Sequence, residues 1–193
     1  MKLITAFSIG AVLALNIATL QQAAATNTIT FNGRITDATC DVSLKYRGMV
    51  MGATGTGSIA LDEVSMASLS APGSSAGQVP FTIVAKNCSL GAVPKTKMAA
   101  NFKSINGDNL GYLKNIEPLA DAATNIQFRL LDSTQKLIKV NDPNQSFTTT
   151  QTTINNDMGG ETNMIYFVEY YSAAGGATPG VVNSTVDYEL MYF

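Results

Sequence analysis

The chain contains no histidine and no tryptophan, only two cysteines, and charged residues make up just 13% of its 193 positions. Without histidine, the usual base of Ser-His and Cys-His catalysis is missing, as is the commonest nitrogen ligand for a transition metal. A formal net charge of −2, without basic runs, leaves no electrostatic footprint for nucleic acid. Beyond the first 25 residues no apolar run is long enough to span a bilayer. Acidic residues are sparse: Asp62-Glu63 is the only adjacent pair, no D-x-D-x-D-G calcium loop occurs, and the pair reads as solvated surface. These absences weigh against an enzyme, a metalloprotein and a nucleic-acid binder. No cofactor is expected.

The N-terminus reads as an export signal. Lys2 gives a short positive region, Leu3 to Leu20 a mostly apolar stretch, and Ala23-Ala24-Ala25 a small-x-small cleavage site. Thr5, Ser8, Asn16 and Thr19 interrupt the apolar stretch, and Gln21-Gln22 follows without a basic stop-transfer flank, which argues against an anchor. Residues 1–25 are therefore expected to be removed, leaving one domain's length from Thr26 onward, with 11 basic residues against 14 acidic. In an exported chain Cys40 and Cys88 default to a disulfide. The long loop it closes is worth about 4 kcal/mol in the chain-entropy account.

Short alternating runs separated by turn residues predict an antiparallel all-β sandwich. Strands are expected over Thr28–Thr36, from Cys40 to about Tyr46, and over Ser58–Leu61, Val79–Asn87, Lys97–Ile105, Ile126–Leu131, Leu137–Val140, Ser146–Ile154, Asn163–Tyr171 and Val181–Phe193. Gly48–Gly57 reads as a glycine-rich loop or bulge region. Ser65–Gly77 reads as a surface connection with one helical turn near Val64–Leu69, and Asp132-Ser133-Thr134-Gln135 as a hairpin turn. No linker and no internal repeat divides the chain.

Two motifs resemble catalytic signatures. Gly73-Ser74-Ser75-Ala76-Gly77 matches the G-x-S-x-G nucleophile elbow, and Ser133-Thr134-Gln135-Lys136 matches S-x-x-K. The first lacks a histidine base and the second falls in a predicted hairpin turn, so both are read as turn chemistry. The sequons Asn87-Cys88-Ser89 and Asn183-Ser184-Thr185 are read as coincidental.

The ends of the mature chain carry the most information. Ile29, Phe31, Gly33 and Ile35 share one face of the first strand, and a glycine inside a strand marks close approach by another group. At the other end Val182, Val186, Tyr188, Leu190 and Tyr192 share one parity, interrupted by Ser184, against polar Asn183, Thr185, Asp187 and Glu189. Unpaired edges template association, so something must cover the last strand. Periodicity leaves open whether the cover comes from the same molecule or from another.

Here the sequence resembles the major subunits of chaperone–usher pili, the type 1 fimbrial group. The matching residues are Thr30-Phe31-Asn32-Gly33-Arg34-Ile35 with Asp37-Ala38-Thr39-Cys40, Pro80-Phe81-Thr82-Ile83 before Asn87-Cys88, and Asn125 to Asp132. Tyr170 to Ala173, Gly176 to Gly180 and Tyr188 to Phe193 complete the set, with Gly180 fourteenth from the end and Tyr192 penultimate. The resemblance implies an incomplete immunoglobulin-like β-sandwich lacking its last strand, completed by a donor strand from another subunit. It implies residues 26–36 as the donor extension running into the first strand, and 37–193 as the pilin domain. The donor anchors would be Ile29, Phe31 and Ile35, each worth about 1.5–3 kcal/mol if fully buried, with Gly33 at a close approach. Gly180, Val182, Val186, Tyr188, Leu190 and Tyr192 would form the acceptor groove and chaperone-binding strand. The implied partners are other copies of the chain, related pilins, a periplasmic chaperone and an outer-membrane usher, with export to the cell surface in a fimbrium. The implied function is that of a structural shaft subunit. A minor adaptor or tip pilin, or a single-domain adhesin with a host ligand, is the alternative.

Overall fold

A computed structural model of the chain describes residues 38–52, 54–93 and 95–193. The expected signal and the extension with Ile29, Phe31, Gly33 and Ile35 lie outside the described residues.

Strand β1 (Thr39–Tyr46) turns Val42, Leu44 and Tyr46 inward. Arg47 and Gly48, at φ 49° and 79°, then close a two-residue hairpin into β2 (Met49–Gly52). Positive φ at both positions matches the twist of the flanking strands. The expected glycine loop thus begins as a strand, whose Met-Val-Met sequence lacks the alternation that would reveal it. A 3-10 turn at Met66–Leu69 lies within the expected helical turn.

Strand β3 (Ser74–Ser89) is the spine of the larger sheet, paired antiparallel with β1 and with β9 (Glu161–Ser172). It begins earlier than the expected Val79 because a bulge at Gly77 (φ 66°) keeps it in the sheet. A Cβ there would meet the Tyr170 ring and Val64 at 2.9 Å. Ser75 of the apparent nucleophile elbow is therefore the second residue of β3, paired with Tyr171 and accepting a hydrogen bond from Arg129 at 3.1 Å. The sheet is completed by β5 (Leu113–Lys114), β6 (Gln127–Leu131) and β7 (Leu137–Ile138), in the order β2-β1-β3-β9-β6-β5 with β7 also on β6. The second sheet has the order β10-β4-β8, formed by β10 (Asp187–Tyr192), β4 (Lys97–Lys103) and β8 (Thr152–Thr153).

The core lies between the sheets. Phe81, Ile83, Phe128, Leu130, Met164 and Tyr166 face Met98, Ala100 and Phe102 across it. Phe102 meets the Tyr166 ring edge-on at 5.0 Å. The Tyr166 hydroxyl crosses to the opposite sheet and accepts the Ala100 N–H at 2.8 Å. Burial pushes this phenol up to about 12, so it stays neutral.

On the outer face Val84 is fully buried although it points away from that core. It pairs with Ser43 and Asn163; Lys45 lies two residues along β1 in one direction and Glu161 two along β9 in the other. The Lys45–Glu161 ion pair (2.7 Å) therefore runs diagonally over Val84, and Lys86 joins it at 2.5 Å. The aliphatic stems cover the valine while the charges stay wet. Hydrogen bonds from Lys45 and then Lys86 hold the Glu161 carboxyl down at about 2.

Three expectations need correction. Ser58–Leu61 is not a strand: it joins no ladder among the described residues, and its Ala60 carbonyl accepts the Tyr46 hydroxyl. The Ser146–Ile154 strand is a single helical turn, α1 (Gln145–Thr148), followed by the two residues of β8. The Asp142-Pro143-Asn144 turn starts that helix, and Gln145 is drawn inward. Its amide donates to the Phe102 carbonyl and accepts the Phe102 N–H, each at 2.8 Å, imitating a strand on that edge of β4. The Val181–Phe193 strand is regular only from Asp187, because its partner β4 ends at Lys103 opposite Asp187.

The disulfide is borne out. Cys40 and Cys88, 48 residues apart, are bonded with Cα atoms 4.1 Å apart. A bulge in β3 supplies the alignment: Thr39 pairs with Ser89 but Asp41 with Lys86, and the extra residue, Asn87, sits at φ 49°. Asn tolerates that conformation better than most residues, and its amide donates to Asp41 at 2.9 Å. Cys40→Ser is expected to remove about 4 kcal/mol of stability, read as a lower denaturant midpoint with a steeper slope, because the unfolded chain without the cross-link is more expanded.

The β6–β7 turn depends on Asp132, which is 1% exposed. One carboxylate oxygen accepts from Thr134 N–H, Thr134 hydroxyl and Lys136 N–H, and the other from Thr150 N–H and hydroxyl. Burial alone would raise its pKa, but the bonds from Thr150, Thr134 and Lys136 bring the carboxyl below the usual range. Asp132→Ala strands three backbone N–H groups and is expected to cost about 2–4 kcal/mol at pH 7. The carboxyl titrates lower folded than unfolded, so its contribution is complete above its unfolded value of 3.8 and fades as pH falls through the folded value. Urea midpoints of the two proteins, well separated at pH 7, should converge below pH 3.8.

Candidate functional site: the groove beside the last strand

In an antiparallel pair, the backbone groups of successive residues point alternately toward and away from the partner. Phe193 and Lys97 exchange N–H···O bonds at 2.9 and 3.3 Å. With Tyr192 opposite Met98 and Asp187 opposite Lys103, the odd residues of β10 are thus the ones bonded to β4. The parity continues upstream, with side chains replacing strand. Asn183 N–H donates to Asn115 Oδ1 at 2.9 Å, its carbonyl accepts from Ile116 N–H at 2.8 Å, and the Thr185 carbonyl accepts the Ser104 hydroxyl at 2.6 Å. The even residues, from Ser184 to Tyr192, direct their amides to the other edge. Among the described residues no strand pairs there.

Beside that edge lies a groove of ≈760 Å³, bounded by the 54–61 loop on one side and by residues 183–188 and Leu190 on the other. Val42, Leu44, Phe81, Phe102, Leu113, Phe128, Leu130 and Val168 make it apolar, and Asp187 is the only carboxylate on its lining. Such a surface offers a hydrogen-bonding edge and hydrophobic pockets. It holds no acid–base pair and no cluster of metal ligands.

Two tyrosines hold the 54–61 rim. Tyr46 donates its hydroxyl to the Ala60 carbonyl, and Tyr188 reaches across the groove to the Gly55 carbonyl at 2.8 Å. Burial raises the pKa of Tyr188, which keeps the hydroxyl a donor. On the outward face Glu189 pairs with Lys103 at 2.7 Å, accounting for the charged parity of β10.

Val186, Tyr188 and Leu190 line the groove. Val182 packs against both hydrophobic clusters of the domain, and Tyr192 against the main core, its hydroxyl 3.6 Å from Cys40 Sγ. Gly180 does not line the groove. It lies at φ 148° against the backbone of Asp121–Ala123, where a Cβ would meet Ala123 N at 2.5 Å. Its role is to let the chain pass that loop on the way to β10. Sequence reading missed the 54–61 rim and the floor residues Phe128 and Val168, whose inward parity was the available signal.

The family model for fimbrial proteins matches residues 29–192. The chain belongs to the fimbrial protein family. The major fimbrial subunit SMF-1 of Stenotrophomonas maltophilia is 36% identical over 174 residues, covering 88% of this chain and 94% of that protein. The type-1 fimbrial protein, A chain, of Escherichia coli K12 is 28% identical over 165 residues, covering 86% and 82%. A chain in the solved structure of a chaperone–usher pilus aligns with a TM-score of 0.54 at 19% identity, covering 87% of this chain and 96% of that one. The fold is thus the incomplete immunoglobulin-like sandwich of the pilins, and this fimbrial subunit belongs to a family of structural proteins exported to the cell surface in pili.

Tyr188→Phe removes the hydroxyl that spans the groove. The variant is expected to lose about 0.5–1.5 kcal/mol, and limited proteolysis should cut within residues 54–61 faster than in the parent.

Proposed function

We propose that this fimbrial subunit builds a pilus shaft by donor-strand exchange. After removal of residues 1–25, the extension 26–36 of one copy enters the groove of the next, with Ile29, Phe31 and Ile35 as anchors and Gly33 at the close approach. Val186, Tyr188 and Leu190 form the wall that receives them, backed by Val182 and Tyr192. Before assembly a periplasmic chaperone lends a strand to the same edge, and an outer-membrane usher is where the exchange occurs. Backbone hydrogen bonds along the edge supply strength, and pockets for alternate side chains supply register.

The observation that carries this reading is the row of even-numbered amides from Ser184 to Tyr192, aimed at an apolar groove with no strand of the described residues beside it. An edge of this length without a cover invites another chain. The names of the relatives support a shaft role in particular, since SMF-1 and the Haemophilus influenzae relative are both called major fimbrial subunits.

The test deletes Thr26 to Arg34 while keeping the export signal, and co-expresses a chaperone of the pathway. The truncated subunit should be folded and chaperone-bound, yet unable to add onward to a fibre. Fibres of normal length from it would reject strand donation by this segment.

A further inference from the structure

Every even position from Val182 to Tyr192 is apolar except Ser184. It is half-buried, lines the groove, and its Oγ is buried without a hydrogen-bond partner among the described residues. The other buried hydroxyl in that condition, Thr149, is not on the groove. A buried hydroxyl left unpaired is destabilising, and the neighbouring Asn183 and Thr185 show that this segment otherwise pairs its polar groups closely.

The donor face carries one interruption of its own. Ile29, Phe31 and Ile35 present large apolar side chains, whereas Gly33 presents none. Set opposite isoleucine or phenylalanine, the Ser184 hydroxyl would stay unpaired under hydrocarbon. Set opposite glycine, it meets bare backbone, whose carbonyl keeps a second lone pair for the hydroxyl after the ladder bond is made. We propose that Ser184 reads the register of the incoming strand by hydrogen-bonding its backbone at Gly33, so that the single gap in the donor row lies on the one unpartnered hydroxyl of the acceptor row. An antiparallel donor in this register sets Phe31 opposite Val186 and Ile29 opposite Tyr188, both on the groove lining. The inference rests on the donor-strand reading above and adds the rule that fixes the alignment. A slip by two residues would set Phe31 or Ile35 on the hydroxyl and leave it unpaired, a penalty on top of misplaced anchors.

Paired cysteines in the full chain test it, because only side chains directly opposite each other across a ladder bring their Cβ atoms to about 4.5–5.5 Å, while diagonal neighbours stay about 7–8 Å apart. Ser184→Cys is combined in turn with Phe31→Cys, Gly33→Cys and Ile35→Cys, and sheared fibres are run on non-reducing gels after boiling in detergent. The Gly33 pairing should give the covalent ladder, severalfold above the other two. A ladder strongest at position 31 or 35 overturns the register while leaving strand donation intact. Normally assembled fibres with no ladder at any of the three positions overturn both. Ser184→Ala decides independently of whether the cysteine pairs assemble. Loss of a bond to the donor should speed dissociation of its fibres in detergent roughly threefold to tenfold. Unchanged or slower dissociation would mean that the hydroxyl has no partner in the fibre, and the proposal fails.

Discussion

A strand can be hydrogen-bonded on two edges, and among the described residues β10 is paired on one. All else about the groove follows from that. Because β4 takes the odd residues, the even residues carry both the inward side chains and the amides that no described strand pairs, so any group that covers the edge also meets the apolar wall. Recognition of backbone and of side chains is thereby concentrated in one row. Where β4 ends, Ser104, Asn115 and the Ile116 amide keep the odd residues occupied, and the same parity extends to Ser184 beyond regular pairing.

Away from the groove, Thr149 apart, the domain handles buried polar groups in the opposite way and closes them off. Tyr166 reaches through the core to a backbone amide of the facing sheet, Gln145 pairs with both polar groups of Phe102, and Asp132 gathers five donors within a turn. These contacts tie the sheets and turns into a frame that can hold a groove open beside β10. Pairing each buried polar group is what a low-dielectric interior requires.

Legibility in the sequence followed locality. The runs at β1, β4, β6 and β9 were visible because alternation and turn residues are local properties, and the Asp132–Gln135 turn was visible for the same reason. The Thr-rich stretch was misread because β-propensity there yields to a tertiary contact, the bond of Gln145 to Phe102, which no local pattern announces. The last strand was read as too long because its regular part stops where its partner stops, and the length of β4 beside it is a matter of topology. The even row of the candidate site was legible from parity alone. Its rim at 54–61 and its floor at Phe128 and Val168 come from distant segments, so they became visible only in the fold.

The pairing of Gln145 with Phe102 bears on how such subunits can grow. Side chains and the short β8 occupy the far edge of β4, so among the described residues the small sheet offers one open edge and not two. A building block with one socket on this sheet has a valency that favours unbranched chains. Were that far edge bare as well, the same chemistry would propagate laterally and give sheets or aggregates instead of a thread.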